Sequence, residues 1–114
     1  MARKALATGT QLLAERTMGT VMPSGEDAVT SVIFEIFNAA GGFSMIPRVD
    51  LEEAAQTPYN VLYWNLLTQA PIAAGTPITA AGIYAVYAPG CKVYAVTSAG
   101  TATCEVQRVY GRAF

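Results

Sequence analysis

The apolar residues of this chain fall into short runs of alternating side chains that are separated by turn-forming residues. Three such runs lie near the C-terminus, at 83–88, 91–97 and 101–110, and β-branched and aromatic residues dominate them, as strands require. Pro89-Gly90 and Ser98-Ala99-Gly100 separate the runs, and glycine and proline are the strongest local markers of turns. The pattern predicts a three-stranded antiparallel meander around which the rest of the chain is organised.

Side-chain alternation assigns the residues of these runs to the two faces of the predicted sheet. In the last run, Cys104 and Val106 face the core, and the alternate positions are largely polar. Cys91 and Cys104 cannot pair, because a three-residue turn puts them on opposite faces and a four-residue turn leaves them beyond disulfide reach. The sequence therefore predicts two reduced, mostly buried thiols that act as small apolar core groups.

The strongest strand of the first half is Ala28–Asn38. Val32, Phe34 and Ile36 share one of its faces, and the other face also carries large apolar groups. We therefore expect a central strand, or a strand that a partner covers. Glu35 stands out on the second face. We expect it to be a rim carboxylate on the solvent side, and the alternative is an interface ion pair with an arginine.

Turn-forming residues follow this strand. Ala39–Gly42 predicts a hairpin, because Gly41-Gly42 supplies the positive φ that tight turns need. Phe43–Arg48 is then the return strand. Pro47 cannot donate a hydrogen bond to a neighbouring strand, so we expect this strand to lie at an edge or to end there.

One short helix is expected near residues 50–56. Asp50 can cap its first turn, Glu53 follows three residues later as in a capping box, and Pro58 ends it. The acidic residues of this segment also invite interpretation as a metal site. They lack the spacing of a calcium loop and no histidine is near, so capping explains them better.

The segment Tyr59–Thr68 predicts a long apolar strand that contains the only tryptophan. Tyr59 and Tyr63 share one of its faces, and Trp64 lies on the other. We expect Trp64 to lie in the core with its indole N–H hydrogen-bonded inside. The alternative is that Trp64 and its neighbours form an aromatic platform for a ligand.

Taken together, these elements predict an all-β fold, an antiparallel β-sandwich or jelly-roll-like domain with one short helix, over residues 16–114. A β-barrel-like module is the alternative fold. Residues 1–15 are expected to form an N-terminal arm, because Gly9-Thr10 interrupts a short run of helix formers before a helix is stable. Such an arm either frays or pairs with the sheet of a neighbouring subunit.

Charged residues make up 13% of the 114-residue chain and the net charge is −1. The charged share is about half the usual one, so much of the surface must be neutral. That fits a protein covered by other subunits, or a small Ala- and Gly-rich soluble domain. The sequence has no basic stripe for nucleic acid and no apolar run long enough for a membrane span. Its start lacks the apolar core of a secretion signal, so we expect a non-secreted protein.

The chain contains no histidine, which removes the commonest general base, the usual catalytic triads and most zinc and haem sites. Lys92 is adjacent to Cys91 but faces the other way, so it does not activate that thiol. No glycine-rich segment has the setting of a phosphate loop. We therefore expect no enzyme activity, no catalytic, cofactor-binding or metal site, and no cofactor.

Two segments carry a resemblance to a known family, Thr79–Val86 (TAAGIYAV) and Lys92–Thr103 (KVYAVTSAGTAT). They resemble the C-terminal half of small tailed-bacteriophage virion proteins. In those proteins a "T-x-A-G-hydrophobic" start precedes a strand, a short turn and a strand that ends in a "S-G-T-x-T" hairpin. Such proteins are β-sandwiches that decorate or cement capsids, or belong to tails and fibres, and they have no catalytic residues to carry over.

The resemblance implies a virion structural protein, first of all a capsid decoration (cement) protein that binds and stabilises the outer capsid surface. Its partners would be the major capsid protein or other virion subunits, and it would form a homo-oligomer, with a homotrimer favoured. Its location would be the virion, assembled in the host cytoplasm. The alternatives are a tail, fibre or head–tail connector component, or a carbohydrate- or receptor-binding fibre module. The possible interface residues are Arg3, Lys4, Glu35, Tyr59 and Tyr63.

Overall fold

The computed structural model describes residues 2–14, 28–50, 58–87 and 91–111, and every regular element within these ranges is a β-strand. In chain order the strands are β1 (Ala2–Leu6), β2 (Gly9–Ala14), β3 (Ala28–Asp50), β4 (Tyr59–Asn60), β5 (Tyr63–Asn65), β6 (Ala70–Ile72), β7 (Gly82–Tyr87) and β8 (Lys92–Gly111). They pair antiparallel in one sheet of order β1-β8-β3-β7-β5-β6, with β2 also on β8 and β4 on β3. The predicted all-β antiparallel class is therefore confirmed.

Two long strands, β3 and β8, form the centre of the sheet and pair with each other along nearly their whole length. Two predictions are wrong for this reason. Ala39–Gly42 is not a hairpin turn and Ser98–Gly100 does not separate two strands, because at both places one strand continues through a bend. The meander is also wrong in its order, since β7 pairs with β3 and not with β8.

The bend crosses three neighbouring strands at one level, where residues of positive φ collect. In β3, Gly41 and Gly42 have φ values of 68° and 70°, and Gly100 in β8 has a φ of 72°. Beside them, the break between β1 and β2 ends at Gly9, with a φ of 126°. Glycine adopts such φ values without steric cost. The positive φ expected at Gly41-Gly42 is therefore present, but it serves a bend and not a hairpin.

Gly100 is required by packing as well as by φ. A Cβ at this position would lie 2.6 Å from the backbone nitrogen and Cα of Phe43 and would also clash with the carbonyl oxygen of Ala40. At Gly42, which has nearly the same φ, a Cβ would meet no atom within 4 Å. The bend thus brings the backbones of β3 and β8 closer at Gly100 than any side chain permits.

The bend curves the sheet around a single core, because buried side chains from both of its sides belong to one cluster. As predicted, β3 is a central strand that buries Val32, Phe34 and Ile36. Beyond the bend, the same strand buries Phe43 and Met45. The cluster also includes Leu6, Leu13, Ala14, Tyr63, Ile78, Tyr84, Val86, Val93, Ala95, Ala102, Cys104 and Val106.

Residues 2–14, expected to lie in an N-terminal arm, form two strands of the chain's own sheet. Both β1 and β2 pair with β8, and Leu6 is buried in the core. Gln11 joins the two strands, because its side-chain nitrogen donates to the Ala5 carbonyl oxygen at 2.7 Å and its side-chain oxygen accepts from the Ala7 N–H at 2.9 Å. This segment is therefore built into the fold.

The helix expected near residues 50–56 falls mainly on residues 51–57, which lie outside the described residues. Asp50, expected to cap that helix, is the last residue of β3 and lies opposite Lys92 of β8. Both side chains are buried. The ranges that the structure describes contain no helix.

The long strand expected at Tyr59–Thr68 is wrong, because only the short strands β4 and β5 form there. Asn65 ends β5: its side-chain oxygen accepts hydrogen bonds from the N–H groups of Leu67 and Thr68, at 3.0 and 3.2 Å. Such an Asx turn replaces the pairing of an extended strand. A polar side chain that the alternation pattern treated as neutral therefore decides where the strand stops.

On the side of β3 that faces away from β8, the pairing with other residues has a gap, and Pro47 lies at this gap. Met45 exchanges backbone hydrogen bonds of 3.0 and 2.7 Å with Ile78, and the next paired position is Arg48 opposite Asn60. Because alternate residues direct their nitrogens to the same side, the nitrogen of Pro47 faces the gap between these two pairings. The missing N–H of proline therefore costs no hydrogen bond.

Candidate interaction surface

The side of β5 and β7 that faces away from the core is apolar. Trp64 of β5 lies opposite Ala85 of β7, and the Leu66 N–H donates to the Ile83 carbonyl oxygen at 2.9 Å, which continues the same register. Because alternate residues of a strand share a face, this register groups one set of side chains. The apolar face consists of the apolar members of this set, which are Ile33, Leu62, Trp64, Leu66, Ile83, Ala85 and Tyr87; Ser31 and Glu35 of β3 lie on the same side.

The large side chains of the apolar face are open to solvent. Tyr87 is 66% exposed, Leu62 47%, Trp64 39% and Leu66 38%. None of the seven residues is charged. Single exposed apolar side chains are ordinary on protein surfaces, whereas a contiguous group of them marks a site of interaction. The apolar face is therefore the candidate functional surface of this chain.

Tyr63 and Trp64 lie on opposite sides of β5. Tyr63 is fully buried, and its hydroxyl donates to the Thr76 carbonyl oxygen at 2.6 Å. Burial, with a smaller contribution from the nearby Tyr84, raises the pKa of Tyr63 to about 12. The expectation of a core tryptophan is therefore wrong, because Trp64 is on the surface. Tyr63, expected at an interface, is a core residue.

Tyr84 of β7 closes the core side of the same strands. Its ring stacks on Phe34 with 5.8 Å between centroids and meets the ring of Tyr63 edge-on at 6.0 Å. Its hydroxyl donates to the Ala80 carbonyl oxygen at 3.1 Å, and burial raises its pKa. The two tyrosines thus attach the connection between β6 and β7 to the sheet through hydrogen bonds to Thr76 and Ala80.

A row of charged side chains borders the apolar face. Glu35 of β3 lies between Ile83 of β7 and Glu105 of β8 in the cross-strand register. Arg3 of β1 donates to the Glu105 carboxylate at 3.1 Å, and its guanidinium carbon lies 5.2 Å from the ring centroid of Phe37. Glu35 itself is exposed. The outer side of the sheet therefore changes from charged at β1 to apolar at β5.

Lys4 and Tyr59 lie away from the apolar face. Lys4 is half-buried opposite Cys104, on the core-facing side of β1. Tyr59 is 72% exposed in β4, which pairs with the far end of β3. Of the five interface candidates, the structure therefore places only Arg3 and Glu35 in the same charged row, with Glu105 between them.

Neither cysteine forms a disulfide, as predicted, and Cys104 is buried while Cys91 is half-buried. Burial raises the pKa of the Cys104 thiol to about 12, and the opposing effect of Lys4 is smaller. A buried thiol with a raised pKa is a poor nucleophile and metal ligand. Within the described ranges, no three histidine, cysteine or acidic side chains are grouped to hold a metal ion. No helix there has the length and apolarity to cross a membrane.

The apolar face can bind a partner by burial of apolar area, and the Trp64 indole N–H and the Tyr87 hydroxyl, which make no hydrogen bond within the described ranges, can add polar contacts. No family model, no curated protein and no solved structure matches the chain. A function for this chain is therefore proposed from this surface and from the resemblance carried by Thr79–Val86 and Lys92–Thr103.

Side-chain alternation alone puts Leu62, Trp64 and Leu66 on one face of their segment, and Ile83, Ala85 and Tyr87 on one face of theirs. The structure confirms both groupings and adds that the two sets lie side by side on the outer side of the sheet. The signal that could have revealed a surface was present, because the strands here are apolar on both of their sides. A single bent sheet has only one core-facing side, so one apolar side had to remain outside.

Proposed function

We propose that this chain is a structural protein of a tailed-phage virion, specifically a capsid decoration (cement) protein that binds the outer capsid surface. The observation that carries the proposal is the uncharged, solvent-exposed apolar face of a chain with only 13% charged residues. Leaving apolar area in water is unfavourable by about 25 cal/mol per Å², and a subunit of an assembly covers such area. The resemblance of Thr79–Val86 and Lys92–Thr103 to small virion proteins supports a virion as that assembly.

The proposal includes a finer architecture and an assembly state. The halves of β3 and β8 on either side of the bend are the two layers of a β-sandwich. The chain acts as a homo-oligomer, a symmetric trimer, placed where capsomers meet, with the major capsid protein or other virion subunits as partners. Stabilisation of the capsid comes from buried apolar area, less the cost of ordering each copy, summed over many copies.

The test is co-sedimentation of the purified full chain with capsids of the phage that encodes it, prepared without this protein. We expect saturable binding at a copy number on the scale of the capsid subunits, and capsids that resist higher temperatures once the chain is bound. Absence of binding overturns the proposal. Binding at the few copies typical of a tail or head–tail connector also overturns the decoration role, in favour of that alternative.

A carbohydrate-binding fibre module is the second candidate, and the exposed rings of Trp64 and Tyr87 on one face favour it. Aromatic rings on a flat surface can pack against the apolar faces of sugar rings. A glycan array probed with the wild-type chain and with Trp64→Ala tests this candidate. Binding that is lost in the variant supports it, and an array without hits counts against it.

A further inference from the structure

We infer that the apolar face is the contact between copies of this chain, with the apolar faces of the copies meeting around the symmetry axis of the homo-oligomer. The inference deepens the proposed function, on which it rests for the existence of a homo-oligomer. It identifies the surface that joins the copies within that assembly.

The size of the apolar face fits a contact between subunits. Its exposed side chains present apolar area on the order of 250–350 Å², since an aromatic side chain can bury about 150–250 Å² and a leucine about 100 Å², and between 38% and 66% of each of the four is exposed. A standard interface buries about 800 Å² on each partner, with an apolar centre and a polar rim. The apolar face therefore has the area of the centre of one such interface, and the charged row beside it supplies part of a rim.

The absence of charge within the apolar face favours a second copy as its occupant. Two uncharged faces complement each other, because no charge is desolvated without a partner when they meet. The net charge of −1 also produces little repulsion between copies. Glu35, which makes no ion pair within the described part of the chain, lies at the rim, where solvent still reaches it.

Strand addition at β1 or β6 is a competing way to join two copies, and both of these strands disfavour it. At one end, β1 carries Arg3, which is paired with Glu105, and Lys4 on its core-facing side. Charges on an edge strand, inward-pointing ones above all, oppose pairing with another chain. At the other end, β6 has only three residues and Pro71 is its middle one. The apolar face is the better contact.

The experiment measures the oligomeric state by analytical ultracentrifugation from about 1 µM to about 1 mM, the range in which weak to moderate interfaces dissociate. The test variant is Trp64→Ser combined with Tyr87→Ser. The matched control is Tyr59→Ser, because Tyr59 is 72% exposed but lies outside the apolar face. We expect dimers or trimers for the wild-type chain and the control, and a monomer with an unchanged circular dichroism spectrum for the double variant.

Fluorescence gives a second measurement that needs no variant. Trp64 is the only tryptophan, so its emission reports directly on whether the apolar face is covered. We expect the emission maximum of the wild-type chain to move to shorter wavelengths as the concentration rises through the sedimentation transition. This readout remains decisive if the double variant fails to fold.

Two results overturn the inference: a wild-type chain that stays monomeric with constant emission, and an oligomer that persists unchanged in the folded double variant. Capsid co-sedimentation separates this failure from failure of the proposed function. A chain that binds capsids without self-association overturns the inference alone. A chain that self-associates through the apolar face but ignores capsids overturns the decoration role and supports the inference.

Discussion

Tyr63 and Trp64 are neighbours in the sequence, yet one belongs to the closed side of the sheet and the other to its open side. Tyr63 is fully buried and hydrogen-bonded to Thr76, whereas Trp64 is 39% exposed. Both sides of β5 and β7 carry aromatic and aliphatic residues, so residue type does not distinguish them. The direction in which β3 and β8 bend does, because the bend closes only one side around a core. An apolar residue on the outer side of the bent sheet is covered only when another molecule binds there.

The largest difference is expected between the variants in which each of these two neighbours is replaced with alanine. Tyr63→Ala should lower the free energy of unfolding by about 3–5 kcal/mol, because it empties a fully buried aromatic site. Trp64→Ala should lower it less, by about 1–2 kcal/mol, since 39% of this residue is already in solvent. Chemical denaturation in dilute solution, below any self-association, measures both. Equal losses would mean that the outer side of β5 is packed within the monomer.

The next effect concerns the bend that decides which side becomes the core. Gly100→Ala should lower the free energy of unfolding by about 2–4 kcal/mol, because a left-handed φ is combined with a clash against the backbone of Phe43. Gly42→Ala is the matched control, with nearly the same φ and free space, and should lower it by about 1–2 kcal/mol. Denaturation midpoints of the two variants give the difference. If both lose the same amount, close approach of β3 and β8 is not what fixes the bend.

The sequence predicts which side chains of a strand share a face, but it does not predict how the chain passes from one strand to the next. Alternation correctly put Val32, Phe34 and Ile36 on one side of β3, and Cys104 and Val106 on the core side of β8. Gly41-Gly42 predicts a hairpin, but a bend within one strand requires the same positive φ, so these glycines do not distinguish the two. The choice between them depends on pairing with β8, which lies some sixty residues further along the chain and leaves no local signature.

The same limit explains why the candidate surface was placed elsewhere. When a strand has large apolar residues on both sides, its sequence does not indicate which side faces the core, because that depends on the curvature of the whole sheet. The prediction therefore puts Trp64 in the core and Tyr63 at an interface, and the structure shows the reverse. That the two side chains lie on opposite sides of the strand is correct. The short polar residue Asn65 added a second error, since its side chain ends β5 by capturing two backbone N–H groups.

A smaller effect on stability is expected from the hydrogen bond that Tyr63 makes on the core side of the sheet. Tyr63→Phe removes the hydrogen bond to Thr76 and should lower the free energy of unfolding at neutral pH by about 1 kcal/mol. Tyr87→Phe is the control, because that hydroxyl is exposed on the open side and has no partner within the described chain. Denaturation curves at pH 7 measure both variants. A loss for Tyr87→Phe as large as for Tyr63→Phe would show that the two sides do not differ in this way.

Alkaline pH sharpens the same contrast. The pKa of Tyr63 is raised from 10.0 to about 12 in the folded chain, so the unfolded chain releases this proton first. The stability from Tyr63 is therefore fully present below pH 10 and is lost as the pH rises towards 12. Cys104, raised from 9.0 to about 12, and Tyr84 act in the same direction. Unfolding measured from pH 8 to 12 should lose stability more steeply in the wild type than in Tyr63→Phe, and parallel profiles would contradict the assignment.

The smallest effect concerns the charged end of the open side, where Glu35 and Glu105 lie directly opposite each other on β3 and β8. Like charges in that arrangement are destabilising, and Arg3 offsets only the charge of Glu105. Glu35→Lys should therefore raise the free energy of unfolding by about 0.2–0.5 kcal/mol at low salt. Glu35→Gln should give a smaller gain, because it removes the repulsion without adding attraction. Both gains should shrink in high salt through screening, and a gain that is independent of salt would show that packing beside Ile83, and not charge, is responsible.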